Sequence, residues 1–127
     1  MKKKNHVLLV DDDADLVETY RIVLEKEGYR VTSACNGEEG LKKAQDEMPD
    51  LIVLDVMMST YSEGFEVARE LRRIARTKKI PILMLTSVNA TVPFKFEADE
   101  TWLPVDRFVE KPLTPKSLIK EVSGMLE

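Results

Sequence analysis

The chain has a single cysteine, Cys35, and a single histidine, His6. One thiol cannot form an internal disulfide, and with no second cysteine or neighbouring histidine it gives no support to a metal or redox centre. His6 stands just ahead of the first apolar run. A histidine-centred catalytic or zinc site therefore has little support, and a fraying-end or strand-edge role is the expectation. Long apolar runs are missing too. Behind the basic start MKKKN, the run Val7–Val10 is too short for a signal-peptide core or a membrane span. No membrane partner is expected, and the expected location is cytoplasmic. No long basic run offsets the formal net charge of −4, so direct nucleic-acid contact is not expected. Internal repeats and low-complexity linkers are also absent. What remains is 127 residues, 43% apolar and 33% charged, a soluble globular mix with the length for one domain and one core.

Within that length, strand and helix patterns alternate. HVLLV reads as a short buried strand. Residues 14–27 read as a helix through Leu16, Tyr20, Val23 and Leu24, ending at Gly28 as C-cap. YRVTSA alternates like a half-buried strand, and NGEEGLKKAQDEM is a helix opened by Asn36–Gly37 and broken by Pro49–Asp50. LIVLD is a continuous apolar run of the kind found in a central parallel strand. Helical spacing returns over residues 64–76 through Phe65, Ala68, Leu71, Arg72 and Ala75. IPILMLT and RFVEK are two further strands. Thr114 as N-cap and Pro115 at the first helical position open a last helix with Leu118, Val122 and Met125 on one face. Such alternation predicts a doubly wound α/β fold, a five-stranded parallel sheet with helices on both faces.

Ligands of such sheets sit outside the carboxyl ends of the strands. The first strand ends in Asp11, Asp12 and Asp13, the third in Asp55, the fourth in Thr86–Ser87 and the fifth in Lys111–Pro112. The second ends in Ala34–Cys35, which reads as neutral. Carboxylates gathered at one place repel, and a hard divalent cation removes the conflict. Mg²⁺ takes oxygen ligands and usually keeps waters beside one or two carboxylates and a phosphate. Asp11, Asp12 and Asp55 fit that demand, whereas Asp13 and Asp15 read as residues favouring a helix N-terminus. Lys111 offers a point cation and Thr86 a hydroxyl for phosphoryl oxygens. A carboxylate nucleophile, Asp55, completes a set suited to phosphoryl transfer through an aspartyl phosphate.

At these residues the chain resembles the receiver domain of two-component response regulators, over essentially its whole length. VLLVDDD resembles the family's first strand and acidic pair, PDLIVLDVMM its phosphorylation strand, and PILMLTS and FVEKPL its threonine and lysine motifs. The resemblance implies a flavodoxin-like receiver fold over residues 1–127. It implies that Asp55 accepts a phosphoryl group from a sensor histidine kinase or phosphotransfer protein. The cofactor would be Mg²⁺ or Mn²⁺, bound by Asp12 and Asp55, by Asp11 mainly through water, and by the Met57 backbone carbonyl. Lys111 and Thr86 would hold the phosphoryl oxygens, and Phe108 would be the switch aromatic. Phosphorylation would reshape the face made by the fourth helix, fifth strand and fifth helix to control a partner. That partner would be a downstream protein, an output domain or a second copy of the chain. The reading is of a phosphoacceptor rather than a turnover enzyme.

The sequence departs from the family pattern in places. Ser59 stands where a proline usually follows the phosphorylation strand, and MMSTYSEG is one residue longer than usual before Gly64. Pro93 and Pro104 interrupt the stretch between Thr86 and Lys111, so the fourth helix is expected to be short or irregular. Half of the eight aromatics fall there, Phe94, Phe96, Trp102 and Phe108, as a partner surface or as cover for the sheet edge. Met57 and Val88 are apolar and cannot orient an attacking water, so a long-lived phosphorylated state is expected. Rival readings are a phosphohydrolase of the haloacid dehalogenase type, a flavodoxin-like electron carrier, and a docking module that works without phosphorylation. The first would need a proton-transferring residue at Met57. The second would need a loop friendly to phosphate where three aspartates stand. No output domain follows residues 116–127, which leaves open a stand-alone regulator or a receiver cut from a longer protein.

Overall fold

The apolar runs HVLLV and LIVLD become β1 (His6–Val10) and β3 (Leu51–Asp55), each buried along its whole length. In this computed structural model the described residues are 5–55, 63–87, 107–111 and 113–126. The other elements are α1 (Ala14–Lys26), β2 (Arg30–Ala34), α2 (Gly37–Glu47), α3 (Glu63–Arg73), β4 (Ile82–Ser87), β5 (Arg107–Lys111) and α4 (Pro115–Leu126). The strands form one five-stranded parallel sheet in the order β2-β1-β3-β4-β5. This is the doubly wound, flavodoxin-like arrangement that the alternation and the resemblance predict. The strand order reverses between β1 and β3, which puts their carboxyl ends side by side at the switch point.

Side chains alternate across each strand, so both sheet faces carry a core. Leu8, Val10, Ile52, Leu54, Ile82 and Met84 face α2 and α3, meeting Ala44, Val67, Ala68 and Leu71. Val7, Leu9, Val53, Leu83 and Leu85 face α1 and α4, meeting Tyr20, Leu24, Leu118 and Val122. Each fully buried leucine of this set contributes roughly 1.5–3 kcal/mol of transfer free energy. Gly40 allows α2 its close approach to β1. A Cβ there would lie 2.9 Å from a methyl of Val10, the residue that leads into the aspartates.

Local chemistry fixes the helix starts. The carboxylate of Asp13 accepts from the Leu16 amide at 3.1 Å, Asn36 accepts from Glu39 at 2.8 Å, and the Thr114 hydroxyl accepts from Ser117 at 3.0 Å. Asp13 is thus the N-cap of α1 and Asp15 lies in its first turn, in line with their reading as helix-start residues. Gly28, at φ 95°, supplies the left-handed residue after α1.

Three expectations shift. Helical spacing predicts a helix to residue 76, but α3 stops at Arg73. There the buried Thr77 hydroxyl donates to the Leu71 carbonyl at 2.6 Å, and the Arg72 guanidinium donates to the carbonyl of Ile80 at 2.6 Å, so the chain closes into a turn. β4 begins at Ile82 rather than Ile80, because Pro81 has no amide hydrogen and joins the ladder only through its carbonyl, which accepts from Ile52 at 3.0 Å. Of the two roles expected for His6, the fraying end is excluded: it opens β1, 6% exposed and hydrogen-bonded. The stretch expected to hold a short or irregular fourth helix, with Pro93, Phe94, Phe96, Trp102 and Pro104, lies outside the described residues. The C-terminal helix is therefore α4 here. No helix among the described residues is long and apolar enough to cross a membrane.

Candidate functional site

Parallel register assembles the site from the ends of four strands. Val10 pairs with Leu54, which sets Asp11 beside Asp55. Asp55 pairs with Leu85, so Thr86 follows one residue beyond. Thr86 pairs with Glu110 and Ser87 with Lys111. The backbones of Asp11, Asp55, Thr86 and Lys111 therefore reach the same edge of the sheet. The side chains of Thr86, Phe108 and Lys111 lie outside the described residues, as do Met57, Ser59 and Val88. Phe108 of β5 is placed by its backbone alone, paired with Met84 of β4.

The carboxylates are described. Oxygens of Asp11, Asp12 and Asp55 all lie within 4.8 Å of one another. Asp11 is 7% and Asp55 5% exposed, while Asp12 is open to solvent. The loop from β1 into α1 holds this set in place. The Asp11 amide donates to the Ala34 carbonyl of β2 at 3.1 Å, and its carboxylate accepts from the Asp13 amide at 2.9 Å. Two buried carboxylates and one exposed carboxylate, all hard oxygen donors with an open side, make a set that a hexacoordinate hard cation can use. Asp13, by contrast, turns its carboxylate to the helix and leaves the cluster.

The end of β2 is less neutral than its sequence reads. A groove of about 360 Å³ opens beside the aspartates, lined in part by Asp11, Asp12, Glu18, Cys35, Glu39 and Lys43. Glu39 accepts from the Cys35 amide at 2.8 Å, and this bond holds its carboxyl below the usual carboxylate range. The Lys43 ammonium donates to the Ser33 carbonyl. Cys35 itself is a free, exposed thiol.

At the opposite edge of the sheet lies a network that the sequence did not announce. The Thr32 hydroxyl donates to Glu47 at 2.7 Å, so its oxygen accepts from His6 Nε2 at 2.8 Å, which assigns the ring proton to Nε2. The His6 amide donates to Asp50 at 2.7 Å. Burial, followed by the positive charge of Arg30, lowers the His6 pKa from its ordinary 6.5, against the opposing pull of Glu47 and Asp50. The pairing of β1 with β2 on one side and β3 on the other brings these residues together with the end of α2, and no local motif marks them.

A family model described as the response regulator receiver domain matches residues 7–123. The chain belongs to that family. It is 39% identical over 126 residues to the alkaline phosphatase synthesis transcriptional regulatory protein PhoP of Bacillus subtilis, covering 99% of this chain and 49% of PhoP. It is 36% identical over 120 residues to the transcriptional regulatory protein AfsQ1 of Streptomyces coelicolor, covering 94% of this chain and 50% of AfsQ1. The chain thus spans about half the length of these curated relatives. Among solved structures it is similar to the chemotaxis response regulator CheY4 of Vibrio cholerae. There the TM-score is 0.80 at 31% identity, over 98% of this chain and all of CheY4. It is also similar to the N-terminal domain of a response regulator receiver protein from Methanoculleus marisnigri, with a TM-score of 0.72 at 33% identity over 95% of each chain. This receiver carries the function of its family, a two-component signalling switch, and the docking module that needs no phosphorylation is not the favoured reading.

Proposed function

We propose that this receiver takes a phosphoryl group from a histidine kinase or a phosphotransfer protein onto Asp55. The observation that carries the reading is the convergence of Asp11, Asp12 and Asp55, oxygens within 4.8 Å, on the strand edge that also receives the backbones of Thr86 and Lys111. In the proposed step a carboxylate oxygen of Asp55 attacks phosphorus. A P–O bond forms as the P–N bond to the donor imidazole breaks, and the imidazole leaves. Asp11, Asp12 and Asp55, with the Met57 carbonyl, would hold Mg²⁺ or Mn²⁺, which supplies charge neutralisation for the transferring group. Lys111 would pair with a phosphoryl oxygen as a point cation and Thr86 would donate a hydrogen bond to another. Near-complete burial of Asp55 serves the nucleophile by keeping bulk water from it.

In this reading the switch is a two-state element biased by the new charge, with Phe108 and the face made by the expected fourth helix, β5 and the C-terminal helix as its output. The downstream partner is an output domain, another protein or a second copy of the chain. The curated relatives PhoP and AfsQ1 are transcriptional regulatory proteins, so control of transcription is the proposed output. The reading treats residues 1–127 as one receiver unit, acting in the cytoplasm as a phosphoacceptor without turnover of a diffusible substrate.

Intact-protein mass after incubation with Mg²⁺ and acetyl phosphate tests the reading. The expected result is one phosphoryl adduct that needs the metal and disappears in Asp55→Asn. An adduct that persists in Asp55→Asn would move the site elsewhere. Failure of both the phosphodonor and beryllofluoride to engage the protein would favour the docking module instead.

A further inference from the structure

Charge is distributed unevenly along this chain. Residues 69–79 hold six cations, Arg69, Arg72, Arg73, Arg76, Lys78 and Lys79, against one anion, Glu70. All other residues together hold thirteen cations and twenty-two anions. The net charge therefore averages a basic corner with a strongly acidic remainder. The basic residues occupy the end of α3 and the turn leading into β4, at the amino end of the sheet and away from Asp55. Arg72 and Arg73 complement the helix dipole, as basic residues in a last turn do. That explanation stops at Arg73. Arg76, Lys78 and Lys79 lie beyond the helix, in the turn.

The corner is pinned rather than loose. The Arg72 guanidinium donates to the carbonyls of Lys78 and Ile80 at 3.1 and 2.6 Å, and Arg76 Nε donates to the Gln45 carbonyl of α2 at 3.1 Å. These three acceptors are neutral carbonyls, so the bonds fix the turn without using up the charge of the exposed Arg69, Lys78 and Lys79 around it. Arg69, Arg73, Arg76, Lys78 and Lys79 are all exposed. Arg73 pairs with Glu70 at 2.6 Å yet keeps 77% of its side chain in solvent.

We propose that this corner docks the phosphate backbone of nucleic acid, without sequence preference. The core of a protein interface combines arginine with aromatic or other apolar anchors. Here Leu71 and Ile80 are buried in the core and Ile74 is half-buried, which leaves the exposed surface to charged residues and Ala75. Phosphate-backbone binding draws on counterion release and needs only cations. Arg69 is exposed and offers a planar fork that matches phosphate oxygens, and Lys78 and Lys79 add point cations beside the pinned arginines. The acidic remainder sets the orientation, turning the aspartate end of the sheet away from the polyanion. The surface shares no residue with the proposed phosphoryl-transfer site, so either reading can fail without the other.

Fluorescence anisotropy of a short labelled duplex of arbitrary sequence, titrated with the full chain at rising NaCl, tests this. Binding at low salt is expected to weaken with a log–log slope of roughly −3 to −4, as for about four phosphate contacts. The triple variant Arg69→Glu, Lys78→Glu, Lys79→Glu should lose at least about tenfold in affinity. It should keep the parent's melting curve and its acetyl-phosphate adduct, because these side chains are exposed and outside the site. Arg72 and Arg76 are left intact because they hold the turn. The proposal is overturned by no binding at the lowest salt, by an unchanged triple variant, or by equal affinity for polyglutamate or for phosphatidylserine vesicles.

Discussion

At the carboxyl end of the sheet, Asp11, Asp12 and Asp55 crowd their oxygens within 4.8 Å of one another. At the amino end, Glu47 accepts from Thr32 at 2.7 Å and Asp50 accepts from the His6 amide at 2.7 Å. The same fold thus gathers carboxylates at one end and, around His6, matches acids to donors at the other. A balanced network serves the fold, because buried polar groups are stable only when paired. Like charges held together by the register of two buried strands cost stability, and they are worth keeping only where a cation or a reacting group uses them.

That contrast can be broken from either side. The largest effect is expected at the balanced end. Thr32→Val removes the hydroxyl between His6 and Glu47 and leaves both without their bridge. A loss of about 1–2 kcal/mol in urea unfolding is expected, with Glu47 partly rescued by water. At the crowded end the sign reverses. In a chelator, Asp12→Asn should raise Tm by on the order of a degree or two, because an exposed charge is screened but its repulsion is removed. Adding Mg²⁺ should then stabilise the parent and not the variant. A drop in Tm for Asp12→Asn in the chelator would mean that the three carboxylates are not in conflict.

The smallest effect concerns pH. The pKa of His6 is lowered in the folded protein, so the contribution of its neutral form is complete above 6.5 and is lost as pH falls through the lower folded-state value. Melting curves of the parent should therefore decline with falling pH in that window more steeply than those of His6→Gln, which keeps a donor toward Thr32. Parallel curves would show that the network does not depend on the protonation state of His6.

The two ends also differ in how far they can be read from sequence. Asp11 and Asp55 were legible because each terminates a short apolar run, and the carboxyl end of a parallel strand is where such a residue meets its neighbours. The caps Asp13, Asn36 and Thr114 were legible because capping is a contact across a few residues. The His6–Thr32–Glu47 network joins positions 26 and 15 residues apart, and it is hidden within a strand that reads only as half-buried. The early stop of α3 was hidden for a related reason. Apolar spacing continues through Ala75, but a buried threonine and two carbonyls held by Arg72 outweigh it. The basic corner escaped notice because an average over the chain is acidic, and only the turn after α3 sets those cations on one surface.

The sequence by itself determined the order of strands and helices, the two apolar faces and the identity of the residues at each strand end. These follow from periodicity and from local hydrogen bonds, which act over a few residues. The tertiary structure decided which strand ends become neighbours, how closely the three carboxylates approach, and which polar residues answer one another across the sheet. Those outcomes depend on strand order and register, and register is set by many weak apolar contacts acting together rather than by any single residue.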